Sequence, residues 1–249
     1  MSELPNLKDR RCLVTGGSRG LGLAICTTLA AAGARVALTY STDDGDAEEA
    51  RQAITEAGCE PLIFKGSVAD PKHASATVRA LVKQWGGLDV LINNAAITQV
   101  LPIALLEEED WDEVMEVNTK GVYLFSRAAL RAMIRAKAGH ILNIGNFASE
   151  RIIEAPAHYA TSKSALRGFT EALAREVGRH NIQVNLLAPG LMEVGLGTLL
   201  PQHRVEEYLD QCPAGRIGTT REIAAMCAFL VSEENTFMTG AKIVMDGGL

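Results

Sequence analysis

The sequence lacks the marks of several large protein classes. It has only five cysteines, Cys12, Cys26, Cys59, Cys212 and Cys227. Their number is odd, their gaps are wide and no CxxC pair occurs. That argues against a disulfide frame or a zinc site and for reduced thiols in a cytosolic protein. The five histidines are scattered without ligand spacing, so no metal is expected. Long apolar runs are missing too. The longest stretch without a charge, Val90 to Leu106, holds two Asn, a Thr, a Gln and a Pro, and does not read as a membrane span. The opening residues, Met1 to Asp9, carry no apolar secretory core, and a cytoplasmic location is expected. Positive charge is in the minority. Lys and Arg number 24 against 30 Asp and Glu, a net charge of −6, which argues against a nucleic-acid partner. No internal repeat and no linker breaks the chain. What remains is an ordinary globular composition, 47% hydrophobic and 22% charged. Its 249 residues allow one or two domains at roughly 150 each.

Short apolar runs alternate with longer amphipathic stretches. Strands are predicted at Cys12–Thr15, Val36–Tyr40, Leu62–Val68, Leu88–Asn93, His140–Ile144, Gln183–Leu187 and Ala241–Met245. Between them, Leu21, Ile25 and Leu29 recur at helical spacing up to Gly33. Ala47–Ala57 reads as a helix ending at Gly58. Asp70-Pro71 opens a helix to about Trp85 with a cap and a first-turn proline. Asp110–Ala136 looks like one long helix, and His158 to about Arg179 like the next. Thr219 to Glu222 forms a capping box for a helix to about Ser232. Val-, Ile- and Leu-rich strands each followed by a helix predict an α/β fold, a parallel seven-stranded doubly wound sheet covered on both faces. One such domain over residues 1–249 is the economical reading. Ligands of such sheets sit beyond the carboxyl ends of the strands, so motifs there carry the function.

The first strand ends in Thr15-Gly16-Gly17-Ser18-Arg19-Gly20-Leu21-Gly22. Gly16, Gly20 and Gly22 form G-x-x-x-G-x-G. Glycine permits positive φ and close backbone approach to a diphosphate, and the following helix start offers free N–H groups. An acid at the end of strand two would hold the ribose of NAD, but Tyr40 and Ser41 stand there. With no carboxylate to repel a 2′-phosphate and Arg19 able to fork onto one, NADPH is expected over NADH. A solvated turn residue is the plainer reading of Arg19.

Tyr159 and Lys163 stand four apart at a helix start and share a face. A neighbouring ammonium favours phenolate, so Lys163 is expected to lower the Tyr159 pKa toward useful acid–base strength. A phenol so placed can protonate the alkoxide left when hydride reaches a carbonyl. The plainer reading is a core tyrosine and a surface lysine.

With these motifs the whole chain resembles the short-chain dehydrogenase/reductase family. Thr15–Gly22 looks like its cofactor turn, Asn93-Asn-Ala-Ala96 like its segment after strand four, and Tyr159-Ala-Thr-Ser-Lys163 like its catalytic motif. Asn118 in Val117-Asn-Thr-Lys-Gly121 matches its active-site asparagine; Pro189-Gly190 and Asp246-Gly247-Gly248 also fit. The likeness is strongest to 3-oxoacyl-[acyl-carrier-protein] reductases and to polyketide and naphthol reductases. It implies a Rossmann-type fold with the seventh strand at an edge. It also implies a homodimer or homotetramer built through the two long helices. In its terms Tyr159 is the general acid. Lys163 binds the nicotinamide ribose and lowers the Tyr159 pKa. Asn118 holds a water of a proton relay, and Asn94 with Ala95 lines the ribose. Ser18, Leu21, Ser67, Val68, Pro189, Gly190 and Met192 complete the cofactor contacts. Asn146, Ala148, Leu191 and Leu196 join Tyr159 around the substrate.

The sequence departs from the family pattern in four places. The catalytic serine, thirteen residues before the tyrosine, is Asn146, and the nearest serine is Ser149. An Asn amide offers both a donor and an acceptor, so Asn146 is expected to polarise the carbonyl; a loop shift bringing in Ser149 is the rival. Ala96 replaces a glycine, Ser67 stands where an aspartate often meets the adenine, and Val194 where a threonine often meets the cofactor.

Arg127, Arg131 and Arg135 recur every four residues, with Lys137 beyond and Arg175 on the next helix. They read either as a solvated face complementing the helix dipole or, by the resemblance, as docking for an acyl carrier protein. Glu107–Glu109, Asp110, Asp112 and Glu113 read as surface acids at a helix start. His158 points about 100° from Tyr159 on a helix and is at most pocket rim. Residues 191–212, with Met192, Leu196, Leu199 and Leu200, read as a substrate lid over an apolar ketone. The expectation is therefore an NADPH-dependent reductase of β-ketoacyl thioesters in fatty-acid or polyketide biosynthesis. The alternatives are a reductase of free cyclic or aromatic ketones and a weakly catalytic nucleotide-binding subunit.

Overall fold

The computed structural model describes residues 4–151, 155–198 and 200–249. The strands are β1 Arg11–Thr15, β2 Arg35–Tyr40, β3 Leu62–Lys65, β4 Val90–Asn93, β5 Gly139–Ile144, β6 Ile182–Pro189 and β7 Lys242–Met245. They pair in parallel in the order β3-β2-β1-β4-β5-β6-β7. The α-helices are α1 Gly20–Ala31, α2 Asp44–Glu56, α3 Pro71–Trp85, α4 Glu108–Met115, α5 Gly121–Ala136, α6 Ala157–Val177, α7 Gln202–Gln211 and α8 Thr220–Leu230.

The strand residues explain the layering. Successive side chains point to opposite faces of a sheet. Val36 and Leu38 of β2 join a core with Ile25 and Leu29 of α1 and Cys227 of α8. Ala37 between them joins a second core with Leu81 of α3 and Phe125 and Met133 of α5. Both faces are dry, which is why the strands read as continuous apolar runs. The caps are those the sequence predicts. The Asp70 carboxylate accepts from Lys72 N beside Pro71, and Thr219 with Glu222 forms the capping box of α8.

Two expectations are corrected. β3 stops at Lys65, because Ser67 accepts from Ala69 N at 3.2 Å and its carbonyl from Asp70 N, turning the chain out of the ladder. The helix expected over Asp110–Ala136 is not regular. It starts at Glu108, and a π-helical stretch, Glu116–Lys120, separates α4 from α5. The segment after β6, expected as a lid, holds a short 3₁₀ turn, Gly195–Thr198, and α7.

β1 and β4 are neighbours in space but not in sequence. The crevice past their carboxyl ends is the switch point where such sheets bind ligands.

Candidate active site

The turn after β1 is shaped by contact. Gly16 and Gly20 adopt φ of +63° and +54°, the left-handed region. A Cβ on Gly22 would stand 2.0 Å from the Gly16 carbonyl oxygen, and one on Gly16 would stand 2.9 Å from the Ala95 Cα. Gly17, absent from the sequence reading, is equally confined: its Cβ would meet Leu38 at 2.6 Å. The Asn94 amide donates to the Thr15 and Gly16 carbonyls at 3.0 and 2.9 Å. Thr15 Oγ1 accepts from the Asn94 and Ala95 amides at 3.0 and 3.1 Å. Asn94 therefore clasps the turn through its Nδ2, while its Oδ1 has no hydrogen-bond partner among the described residues. Arg19 at the start of α1 makes no side-chain cap, so the first N–H groups of that helix have no side-chain partner. A close-approach cradle opening on uncapped amides fits a diphosphate. Ser18 is half-buried and Leu21 is buried beneath it.

At the adenosine end, Tyr40 closes β2 and Ser41 is exposed. The Tyr40 hydroxyl donates to Asp44 at 2.7 Å, and Lys65 Nζ reaches the same carboxylate at 2.8 Å. Lys65, then Tyr40, hold the Asp44 carboxyl below the usual range. Arg19 lies 76% exposed and meets Asp46 at 3.4 Å, so it is shared with an acid. Lys65 is a cation the sequence reading missed; strand register places it opposite Tyr40. Ser67 is exposed in the turn past β3, while Val68 is buried against Gly121 at the start of α5. Val194 faces Gly20 of the turn.

α6 brings Tyr159 and Lys163 together. Lys163 Nζ lies 5.8 Å from the Tyr159 ring centroid and donates to the Ile144 carbonyl at 2.8 Å. Both side chains are buried. Burial pushes Lys163 down to about 8. It pushes the Tyr159 phenol up, the opposite of the expected lowering, because desolvation outweighs an ammonium that does not touch the hydroxyl. Asn118 lies in the π-helical stretch, buried. Its Oδ1 accepts from Ile97 N at 2.8 Å, and its Nδ2 donates to the Ile97 carbonyl and to Ser162 Oγ at 2.9 and 3.0 Å. Ser162 Oγ in turn donates to the Tyr159 carbonyl at 2.8 Å. Asn118 is thus a clamp between the loop after β4 and α6, and Ser162 is its unforeseen partner. His158 is fully buried, with no partner for either ring nitrogen among the described residues, so it is not pocket rim.

Beyond β5, Asn146 is half-buried and opens a 3₁₀ turn, Phe147–Ser149. Its Oδ1 accepts from Ala148 N at 2.9 Å, while its Nδ2 has no partner among the described residues. Ser149 Oγ donates to the Asn146 carbonyl at 2.7 Å. Two ion pairs fasten this turn to the β7 edge. Glu150 pairs with Lys242, and Arg151 with Asp246 at 3.0 Å. Past β6, Pro189, Gly190 and Leu191 are buried and Met192 is half-buried. Ala148 is half-buried. Leu199 and the Leu196 side chain lie outside the described residues.

No cluster of His, Cys, Asp or Glu suited to a metal occurs among the described residues. No described helix is long and apolar enough to cross a membrane.

A family model described as enoyl-(acyl carrier protein) reductase matches residues 16–249. The 3-oxoacyl-[acyl-carrier-protein] reductase FabG of Vibrio cholerae is 36% identical over 244 residues, 98% of each chain. A putative short-chain alcohol dehydrogenase from Sinorhizobium meliloti superposes with a TM-score of 0.91 at 36% identity, covering 97% of this chain and 96% of the other. A short chain dehydrogenase from Burkholderia cenocepacia in complex with NADP gives a TM-score of 0.91 at 33% identity over 98% of both chains. A glycine cradle on uncapped amides, a Tyr–Lys pair on one helix face and full-length likeness to these proteins lead to one conclusion: the chain belongs to the short-chain dehydrogenase/reductase family of nicotinamide-dependent oxidoreductases.

Proposed function

We propose that this protein is an NADPH-dependent carbonyl reductase whose substrate is a β-ketoacyl thioester, carried on acyl carrier protein or coenzyme A, in cytoplasmic fatty-acid or polyketide-type biosynthesis. The observation that carries this reading is the Tyr159–Lys163 pair, bonded through Lys163 to the Ile144 carbonyl at the end of β5, two residues before an Asn146 amide whose Nδ2 is unengaged. The substrate class is supported by the 36% full-length identity to a 3-oxoacyl-[acyl-carrier-protein] reductase. NADPH is supported by the NADP-bound relative, by Tyr40 and Ser41 in place of an acid, and by the cations Arg19 and Lys65.

Reduced nicotinamide, when bound, supplies the hydride. Gly16, Gly20, Gly22 and the α1 amides hold the diphosphate. Tyr159, kept protonated by burial, donates its proton to the carbonyl oxygen as that oxygen gains charge. Lys163 holds the ribose and, as an ammonium, stabilises the phenolate left behind. Asn146 Nδ2 donates to the same oxygen in place of the usual serine. Ser149 does not take that role, since its proton is committed to the Asn146 carbonyl. Asn118 and Ser162 fix the Tyr159 backbone. Leu191 and Met192, with Ala148, wall the acyl chain, and α7 lies over it.

Carrier docking is supported by a groove of about 400 Å³ between α3 and α5. Arg79, Lys83, Arg127, Arg131 and Arg135 line it without an acid. Lys137, just past α5, and Arg175, in the last turn of α6, are the further cations of this reading. Tyr123 and Ile134, exposed on α5, suit a dimer or tetramer built through α5 and α6.

The test is NADPH oxidation with a small β-ketoacyl thioester, with Tyr159→Phe as control. Turnover in the parent and a loss of at least ~10²-fold in the variant are expected. NADPH binding with no turnover on the thioester overturns the substrate class. Full activity in Tyr159→Phe overturns the acid.

A further inference from the structure

One side chain of α7 meets the ends of three strands. The Tyr208 ring packs edge-on against Phe147, with centroids 5.5 Å apart at 81°. Phe147 follows Asn146 in the turn after β5. The Tyr208 hydroxyl donates to the Asp246 carbonyl at 2.9 Å, just past β7. It also lies 2.8 Å from where a Cβ on Gly190 would stand, past β6. Only glycine at 190 leaves room for the phenol. The Asp246 carboxylate accepts from Arg151, which returns the chain of contacts to the β5 turn. The contacts close a ring: α7, Asp246, Arg151, Phe147 and α7 again.

The rest of α7 is lightly held. No described residue of it is buried, and Gln202 bonds to Glu206 within the helix. Cys212, just past α7, is buried and makes long thiol contacts of 3.6 and 3.7 Å to the Asp246 and Gly247 carbonyls. Burial pushes the Tyr208 phenol up to about 12, so it remains a donor across the neutral range.

The turn it touches behaves as one unit. Asn146 Oδ1 holds Ala148 N, Ser149 N is held by the Asn146 carbonyl, and Glu150 N and Arg151 N by the Phe147 carbonyl. Phe147 is the buried anchor of that unit. We infer that Tyr208 is a positioning residue for carbonyl reduction: seated on α7, it holds Phe147 and so keeps the Asn146 amide turned toward the substrate carbonyl. This rests on the reading of Asn146 as the carbonyl's donor. It couples seating of α7 to the geometry of the reacting centre.

Two variants separate ring from hydroxyl. Tyr208→Phe keeps the contact with Phe147 and loses the bond to Asp246; Tyr208→Leu loses both. Hydrogen exchange of the 146–151 segment needs no substrate. It is expected to speed up at least about tenfold in Tyr208→Leu and less than about threefold in Tyr208→Phe, with α1 unchanged. On any ketone the parent reduces, kcat is expected to fall about tenfold in Tyr208→Leu with the NADPH Kd within about twofold. In an Asn146→Ala background the same substitution is expected to cost less than about twofold, since coupled residues are not additive. Unchanged exchange in the 146–151 segment overturns the inference. So does an equal kcat loss in the Asn146→Ala background. If Asn146→Ala alone leaves kcat untouched, the donor reading fails, while the exchange result still decides whether Tyr208 holds the turn.

Discussion

At the end of β1 the chain is confined by close backbone approach and clasped by Asn94; at the end of β5 a backbone-bonded turn is fastened by side chains that reach across the fold. Around the glycine turn, a single added methyl on Gly22 would stand 2.0 Å from a carbonyl oxygen. Around Asn146, the fastenings are two ion pairs, an aromatic contact and one amide bond. The geometry of the first side tolerates almost no change. The second is less confined. It is built from parts that can be exchanged one at a time, and this chain has exchanged its serine for Asn146.

The contrast can be broken on either side. Gly22→Ala is expected to do the most damage. Displacing backbone costs roughly 1–3 kcal/mol or more, so the melting temperature should drop by several degrees. NADPH affinity should fall by at least about 100-fold, read by fluorescence titration. Retained affinity would mean the turn is not held as described. Asn146→Ala comes next. A loss of about 30-fold in kcat is expected, below the ~10²–10³ of a sole oxyanion donor because Tyr159 still donates. Asn146→Ser should stay within about threefold of the parent if the side is exchangeable. An alanine variant as fast as the parent would remove Asn146 from the chemistry.

A pH profile sharpens the picture further. Burial holds Lys163 to about 8, below its ordinary 10.5. Lys163 therefore keeps its charge below that pH and loses it above. In the free enzyme, kcat/KM for reduction should be level near neutrality and fall above about 8. Lys163→Met should lose that limb along with most of its activity. The smallest effect belongs to Arg19→Ala. Because Arg19 is exposed and shared with Asp46, the preference for NADPH over NADH should fall only about three- to tenfold. An unchanged ratio would transfer the phosphate contact to Lys65.

The same contrast explains what could be read in advance. Backbone demands write themselves as residue types at fixed spacing, so Gly16, Gly20 and Gly22 were legible, as were the Asp70-Pro71 and Thr219–Glu222 caps and the seven parallel strands. Tyr159 and Lys163 were legible because a helix fixes four-residue neighbours. Side-chain pairing across the fold leaves no such trace. Nothing in the local sequence joins Asn118 to Ser162, Arg151 to Asp246, or Tyr208 to Phe147, residues between 44 and 95 positions apart for the first two pairs. The direction of the Tyr159 shift was misjudged for a related reason: proximity in sequence announces a charge but not the burial that outweighs it. The hold of Asn94 on the Thr15 and Gly16 carbonyls is likewise a long-range contact that local sequence does not announce.

The π-helical stretch at Glu116–Lys120 carries a consequence for how this chain can change in length. It is one residue wider than the α-helical turn it interrupts. Removing any single residue there would let α4 and α5 fuse into one regular helix and would relieve an irregularity in the backbone. The flanking faces would stay near their present registers, because the widened turn absorbs its extra residue locally. Asn118 sits inside that turn, and its bonds to Ile97 and Ser162 depend on the geometry that the deletion would remove. The segment is therefore closed to shortening even though shortening would regularise it.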